Sequence, residues 1–261
     1  GAFMLSEPLT LPPRRRQQFT VAAVVGVLAG WPISIAGLFT LGQERALLIG
    51  NLVAFLFAMR TAVRLTIVER TALTPGVREY SFRAERPVRF TPGQYLELEV
   101  PHAHPDSRGT RREFSILSSP AELPLVKIAM REGSQSSYKK ALATIEPGDA
   151  LAITGIWGDF VLPRRTDAPI LMVAAGIGVT PFVSHLRHLR LTQEQRDVVF
   201  VYVASASEEL AFRSDLEDAG IPVVVVTRDE PTDLPDGWQW AGGSRLDAEG
   251  LLRLVPDIAA R

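Results

Sequence analysis

Cysteine is absent from the 261 residues, so neither a disulfide framework nor a Cys-ligated zinc or iron–sulfur centre can be built from this chain. An excess of either charge is also lacking: 28 Lys and Arg face 29 Asp and Glu, the formal net charge is −1, and the only basic run is Arg14 to Arg16. Nucleic acid as a partner is set aside, because it calls for a basic patch or stripe. Histidine is scarce, and all four residues lie outside the apolar runs, so this chain cannot by itself clamp a haem between two helix histidines. Redox chemistry here needs an organic cofactor or a partner's metal.

What is present starts with an uncharged stretch of 27 residues, Gln17 to Gln43. A hydrocarbon layer of about 30 Å requires roughly 20 apolar helical residues, and Phe19 to Leu41 meets that length. Gly26, Gly30, Pro32 and Gly37 are tolerated in membrane helices, Pro32 with a kink. After Gly42-Gln43-Glu44-Arg45 comes a second apolar run, Ala46 to Met59, short for a span but extendable if Arg60 and Arg64 snorkel to the headgroups. These features predict a transmembrane hairpin in contact with membrane lipid over residues 1–66, with spans at about 18–41 and 45–63. A re-entrant or surface helix, a signal peptide and a buried core hairpin are the competing readings. Arginines 14 to 16, 60, 64 and 70 flank both ends of the hairpin, which puts the rest of the chain on the cytoplasmic side of the cell membrane.

From about residue 67 to 165, short β-rich runs alternate with turns: 79–83, 95–100, 113–117, 125–130 and 150–156. Pro92-Gly93 and Pro147-Gly148 act as turn signals, and the pattern predicts an antiparallel barrel. Gly133-Ser134-Gln135-Ser136-Ser137 precedes a short helical stretch whose first N–H groups can meet an anion, or be capped by serine. Residues 166–261 read as βαβ alternation. Apolar runs at 169–175, 198–204 and 222–227 predict parallel strands, the first of them buried on both faces, with a helix over 208–219. Between the first strand and its helix lies Gly176-Ile177-Gly178-Val179-Thr180-Pro181. Here the glycines let backbone approach a ligand, Thr180 suits an N-cap and Pro181 the first helical position.

Four stretches in this order, Arg111-Arg112-Glu113-Phe114-Ser115, Gly133 to Ser137, Gly158-Asp159-Phe160 and Ala174 to Pro181, resemble the ferredoxin–NADP reductase family over about residues 71 to 261. The resemblance implies a Greek-key flavin-binding barrel followed by a nicotinamide-binding α/β domain, and an NAD(P)H oxidoreductase using FAD, or FMN. It further implies that Arg112 meets the flavin phosphate and Ser115 the ring at N5. Phe114 replaces the family's tyrosine as an apolar wall. Gly133, Ser136 and Ser137 would hold flavin phosphate, and Phe160 would close the pocket. Gly176, Gly178, Thr180 and Pro181 would face the nicotinamide nucleotide, with Ser115 and Thr180 at the reacting centre. Thr227 and Arg228 stand where NADPH-dependent relatives read a 2′-phosphate, whereas Ser205 stands where many carry arginine, so NADPH and NADH both remain open. The family's Cys-Gly-Pro-like strand and C-terminal aromatic have no counterpart, which reads as an incomplete nucleotide domain, truncated at the C-terminus. The electron acceptor is expected to be a quinone, a haem or iron–sulfur protein, or a second flavin. A flavin- or nucleotide-binding membrane module without turnover, and a soluble-type reductase on a simple anchor, fit the same residues. His185 and His188, three apart on one helix, read as a solvated face rather than a metal site.

Overall fold

A computed structural model describes residues 15–30, 33–35, 39–41, 43–58, 62–133, 135–243 and 246–258. The chain divides into two units, Gly1–Thr61 and Ala62–Arg261. In the first, helices α1 (Arg15–Gly30) and α2 (Gln43–Ala58) pack through Val21, Val25, Ala46 and Ala54, and the Arg45 guanidinium donates to the Leu28 carbonyl (3.1 Å). Strands β1 (Ile33–Ile35) and β2 (Phe39–Leu41) pair antiparallel between the helices.

The predicted spans need correcting. Each helix has 16 residues, about 24 Å at 1.5 Å per residue, and among the described residues no helix is long and apolar enough to cross a membrane. The first was expected to run to residue 41 but ends at Gly30. The sequence Gly30-Trp31-Pro32 supplies the reason, because the residue before a proline is pushed out of helical backbone.

In the second unit, alternation of buried and exposed residues builds a six-stranded antiparallel sheet from β3 (Val63–Thr74), β4 (Val77–Ala84), β5 (Tyr95–Glu99), β6 (Arg111–Ser115), β7 (Leu125–Arg131) and β8 (Ala150–Trp157). The spatial order is β6-β5-β8-β3-β4-β7. Leu117 N–H donates to the Lys127 carbonyl (2.8 Å), which brings the chain after β6 against β7 and wraps the sheet round its core. Leu65, Ile67, Tyr80, Phe82, Leu96 and Leu98 fill that core, and Tyr138 and Leu142 of helix α3 (Ser137–Ala143) plug it. Strand β3 was not anticipated. Its residues 63–66 pair with 150–153, so four residues assigned to the hairpin belong to the barrel. Polar residues interrupt its alternation, and bulges shift its register after Ile67 and Ala72.

The remainder is a parallel sheet in the order β12-β11-β10-β9, formed by β9 (Ile170–Ala175), β10 (Val198–Val203), β11 (Val223–Val226) and β12 (Trp238–Trp240). Helices α4 (Thr180–Thr192) and α5 (Arg213–Ala219) cover one face, and α6 (Ala248–Leu254) packs on the other. Three expectations change here. Strand β9 is an edge strand among the described residues, and its Val173 is 38% exposed, so it is not buried on both faces. The helix predicted over 208–219 begins only at Arg213, after a turn that puts Phe212 in left-handed backbone. A fourth strand, β12, was not foreseen, because three residues carry too little periodicity.

Candidate active site

Strand alternation sorts the predicted flavin residues onto two faces of β6. Arg112 and Phe114 pair with Leu98 and Leu96 and lie on the core side, where Phe114 stacks with Tyr138 at a centroid distance of 6.0 Å. Ser115 points the other way, in register with Tyr95, which is in turn in register with Trp157 of β8. Ser115, Tyr95 and Trp157 thus form a row on the outer face, with Tyr95 and Trp157 edge to face at 5.6 Å. Burial pushes the Tyr95 phenol up, helped by Glu113. The structure therefore separates Phe114 from Ser115, and supplies Tyr95 as the aromatic neighbour of Ser115, with Trp157 one strand further on.

Arg112 reaches the start of α3. Its guanidinium lies 5.1 Å from the Tyr138 ring centroid, pairs with Asp106 (2.5 Å) and donates to the carbonyls of Arg108, Gly109 and Arg111. Bonding to Arg112 holds the Asp106 carboxyl below the usual carboxylate range. Ser136 is the residue before α3 and does not cap it through its side chain, while the Ser137 hydroxyl lies 3.2 Å from His102 Nε2. Gly133, with φ of +77°, turns the chain from β7 into this segment. Arg112 lies over the ring of Tyr138, which follows Ser136 and Ser137 in the chain. His102 joins them unannounced, since a lone histidine in a polar loop carries no sequence signal.

On the nucleotide side, the strand-ending residues collect at the carboxyl edge of the parallel sheet, where open α/β sheets bind ligands. Gly176 (φ +51°) opens a 3-10 turn over Gly176–Val179, and α4 starts at Thr180. Thr180 is therefore inside the helix and not its N-cap. Its hydroxyl donates to the Ile177 carbonyl (3.1 Å), which ties the turn to the helix, and Pro181 follows in the first turn. At the end of β11, Thr227 is buried and donates to the Asp229 carbonyl (2.8 Å), while Arg228 is exposed. The Asp229 carboxylate accepts from the Ser207 N–H and hydroxyl, which lowers its pKa and ties the loop after β10 to the one after β11. A cleft of about 110 Å³ separates the barrel turn at Thr74 to Val77 from Gly176 and Ile177, and the Arg131–Glu209 ion pair (3.2 Å) lies beside it.

The two halves of this unit meet along a packed seam. Phe160 of the Gly158-Asp159-Phe160 segment is 51% exposed, stacks on His185 at 5.6 Å and meets Phe182 edge to face at 5.0 Å. His185 is not on a solvated face. It is 3% exposed, and its Nε2 lies 3.1 Å from the Pro92 carbonyl and 3.2 Å from that of Phe160. Both partners are acceptors, so Nε2 carries the hydrogen, and burial lowers the pKa. Further along α4, the largely buried Arg187 pairs with both oxygens of Asp215 (2.6 and 2.9 Å) and with Glu79 of β4 (3.2 Å). Burial opposes its charge, but Asp215, Glu79 and Glu122 outweigh that cost and hold its pKa up. No group of three or more potential metal ligands occurs among the described residues.

A flavohemoprotein of Bacillus subtilis is 31% identical over 131 residues, 50% of this chain and 32% of the relative. The reductase subunit of a glycine betaine monooxygenase from Chromohalobacter salexigens is 30% identical over 203 residues, 72% of this chain and 52% of the relative. The chain thus spans about half or less of the length of these curated relatives. No protein-family model matches it. A ferredoxin–NADP reductase from Neisseria gonorrhoeae, solved with bound FAD and NADP, superposes with a TM-score of 0.57 at 23% identity, covering 74% of this chain and 76% of that one. The fold is that of the ferredoxin–NADP reductases.

Within this reductase fold, the residues suit the cofactors it implies. Arg112 is largely buried, and its Nε has no hydrogen-bond partner, which leaves one donor for a phosphate oxygen beside the start of α3. At the other end, a side chain added at Gly178 would meet nothing within 4 Å, and positive φ at Gly176 is a backbone state open to glycine, so the turn presents bare backbone to a dinucleotide.

Proposed function

We propose that this chain is the flavin- and nicotinamide-binding part of a reductase, taking hydride from NADPH or NADH and passing electrons to a separate acceptor. The observation that carries the reading is the placement, in one unit, of Arg112 and Ser115 on the two faces of one barrel strand, with the Gly176 to Thr180 turn across the seam at the carboxyl edge of the parallel sheet. When bound, FAD would supply acceptance of two electrons from the nicotinamide and their release one at a time. Arg112, with Gly133, Ser136 and Ser137, neutralises and orients its phosphates. Ser115 offers a hydroxyl beside Tyr95 and Trp157, and Phe114 backs the strand from the core. Gly176 and Gly178 admit the dinucleotide, Thr180 and Pro181 fix the turn, and Phe160 holds the seam closed. Thr227 and Arg228 at the end of β11 favour NADPH, since an exposed guanidinium suits a 2′-phosphate. The acceptor is a quinone, a haem or iron–sulfur protein, or a second flavin. The Chromohalobacter relative is a reductase subunit, and that likeness favours a protein partner.

The helix pair accounts for attachment to a membrane. Phe19, Val27, Leu48, Leu52, Phe55 and Leu56 are all more than half exposed, a surface that suits lipid. At about 24 Å, the helices fit partial insertion better than a full span. The arginines that flank both apolar runs in the sequence support a cytoplasmic position for the reductase unit.

Anaerobic mixing of the flavin-loaded chain with NADPH tests the activity: the yellow colour of oxidised flavin bleaches. A colourless protein that cannot be reconstituted with FAD or FMN overturns the proposal, and flavin that stays oxidised reduces it to a binding module.

A further inference from the structure

We propose that His185 is a positioning residue for the hydride step: its Nε2–H ties two barrel segments to the helix that begins at the nucleotide turn, and so sets the approach of the dinucleotide to the flavin face. This inference rests on the oxidoreductase reading above. His185 lies five residues after Thr180 on α4, and its one N–H is shared between the Pro92 and Phe160 carbonyls. The contact leaves no room for slack. A Cβ added at Gly93 would lie 1.8 Å from the Phe160 carbonyl oxygen and 2.2 Å from His185 Nε2.

Both anchored segments run directly into the outer-face row. From Pro92 and Gly93 the chain enters Gln94, whose carbonyl accepts the Ile116 N–H (2.9 Å) next to Ser115, and then Tyr95. The Gln94 side chain donates to the Gly158 carbonyl (3.0 Å), beside Trp157, and accepts the Thr91 N–H (2.8 Å). Ser115, Tyr95 and Trp157 are therefore each within one to three residues of a group bonded to His185 or to Gln94. The surrounding Phe160 and Phe182 rings add apolar contact, which is non-directional and permits sliding. A shared N–H donor with fixed acceptors does not. The ring gives up nothing in the reaction. Hydride leaves the nicotinamide and arrives on the flavin, and His185 exchanges neither proton nor electron. Its Nδ1 is buried without a partner, which fits a residue used through one nitrogen alone.

The test compares His185→Phe, which keeps a ring against Phe160 but loses the donor, with His185→Gln, whose amide N–H reaches a similar place. The flavin-loaded full chain is mixed with NADPH in single-turnover stopped flow, and amide exchange of residues 91–95 and 158–162 is followed without dinucleotide. H185F is expected to keep its flavin and its NADPH affinity, to reduce flavin about 10- to 100-fold more slowly, as expected for a displacement near 1 Å, and to exchange faster in both segments. H185Q is expected to restore both. Wild-type rate and exchange in H185F would overturn the proposal while leaving the oxidoreductase reading intact. Failure of the wild-type flavin to bleach overturns both. If H185F does not fold, His185→Leu, which also lacks the donor, replaces it in the comparison with H185Q, and the same outcomes decide.

Discussion

Replacing Arg187 by alanine strands one largely buried carboxylate, Asp215, and removes one of two partners of a second, Glu79; the size of the effect follows from their surroundings. Asp215 receives both of its short bonds from Arg187, and its side chain is 12% exposed, so removing the guanidinium leaves it buried without a counter-charge. Glu79, 9% exposed, keeps Lys127 at 3.6 Å and suffers less. Breaking one buried pair by deleting a partner costs about 3–5 kcal/mol. For a unit of this size that lowers Tm by roughly 6–20 °C, at about 2–4 °C per kcal/mol. The measurement is thermal and urea unfolding of wild type, Arg187→Ala, Asp215→Asn and the double variant. The double should recover much of the loss, because the asparagine amide leaves no stranded charge at that position. A loss below about 1 kcal/mol in Arg187→Ala, the value of an exposed ion pair, would refute the claim that this network holds the seam.

Arg112→Leu should weaken FAD binding about 10- to 100-fold, the worth of a charge-assisted bond of about 1.5–3 kcal/mol, read by flavin fluorescence titration, and should also lower the unfolding temperature, because the guanidinium holds Asp106 and three carbonyls. Arg228→Ala should raise the KM for NADPH about tenfold and leave NADH unchanged in steady-state reduction of an artificial acceptor; an equal rise for both nucleotides would place the 2′-phosphate elsewhere. His185 has a lowered pKa in the folded protein, so below the unfolded value of about 6.5 the unfolded chain takes up a proton that the folded chain refuses. Its contribution is fully present above that pH and is lost as the pH falls toward the folded value, and H185Q should show a flatter stability profile between pH 7 and 5 in urea unfolding. Gly93→Ala should destabilise by about 1–3 kcal/mol, since the added methyl meets the Phe160 carbonyl and backbone with φ of +89° disfavours side chains.

The chain's own residue pattern settled what is local. Alternation marked β4, β5 and β7, glycine and proline marked the turn from β9 into α4, and the Arg112 to Ser115 stretch was marked as a barrel strand, because each depends on neighbours within a few residues. The apolar run from Phe19 to Leu41 misled for a related reason: hydropathy counts composition, whereas the helix ends at Gly30, two residues before Pro32. Tertiary structure decided what joins distant segments. The row of Ser115, Tyr95 and Trp157 exists only through strand register, His185 is buried only because Pro92, Gly93 and Phe160 converge on it, and Glu79 meets Arg187 across 108 positions. Such pairings are invisible in sequence because a charged or aromatic residue looks the same on a solvated face as in a seam, and only the packing of the two halves determines which it occupies.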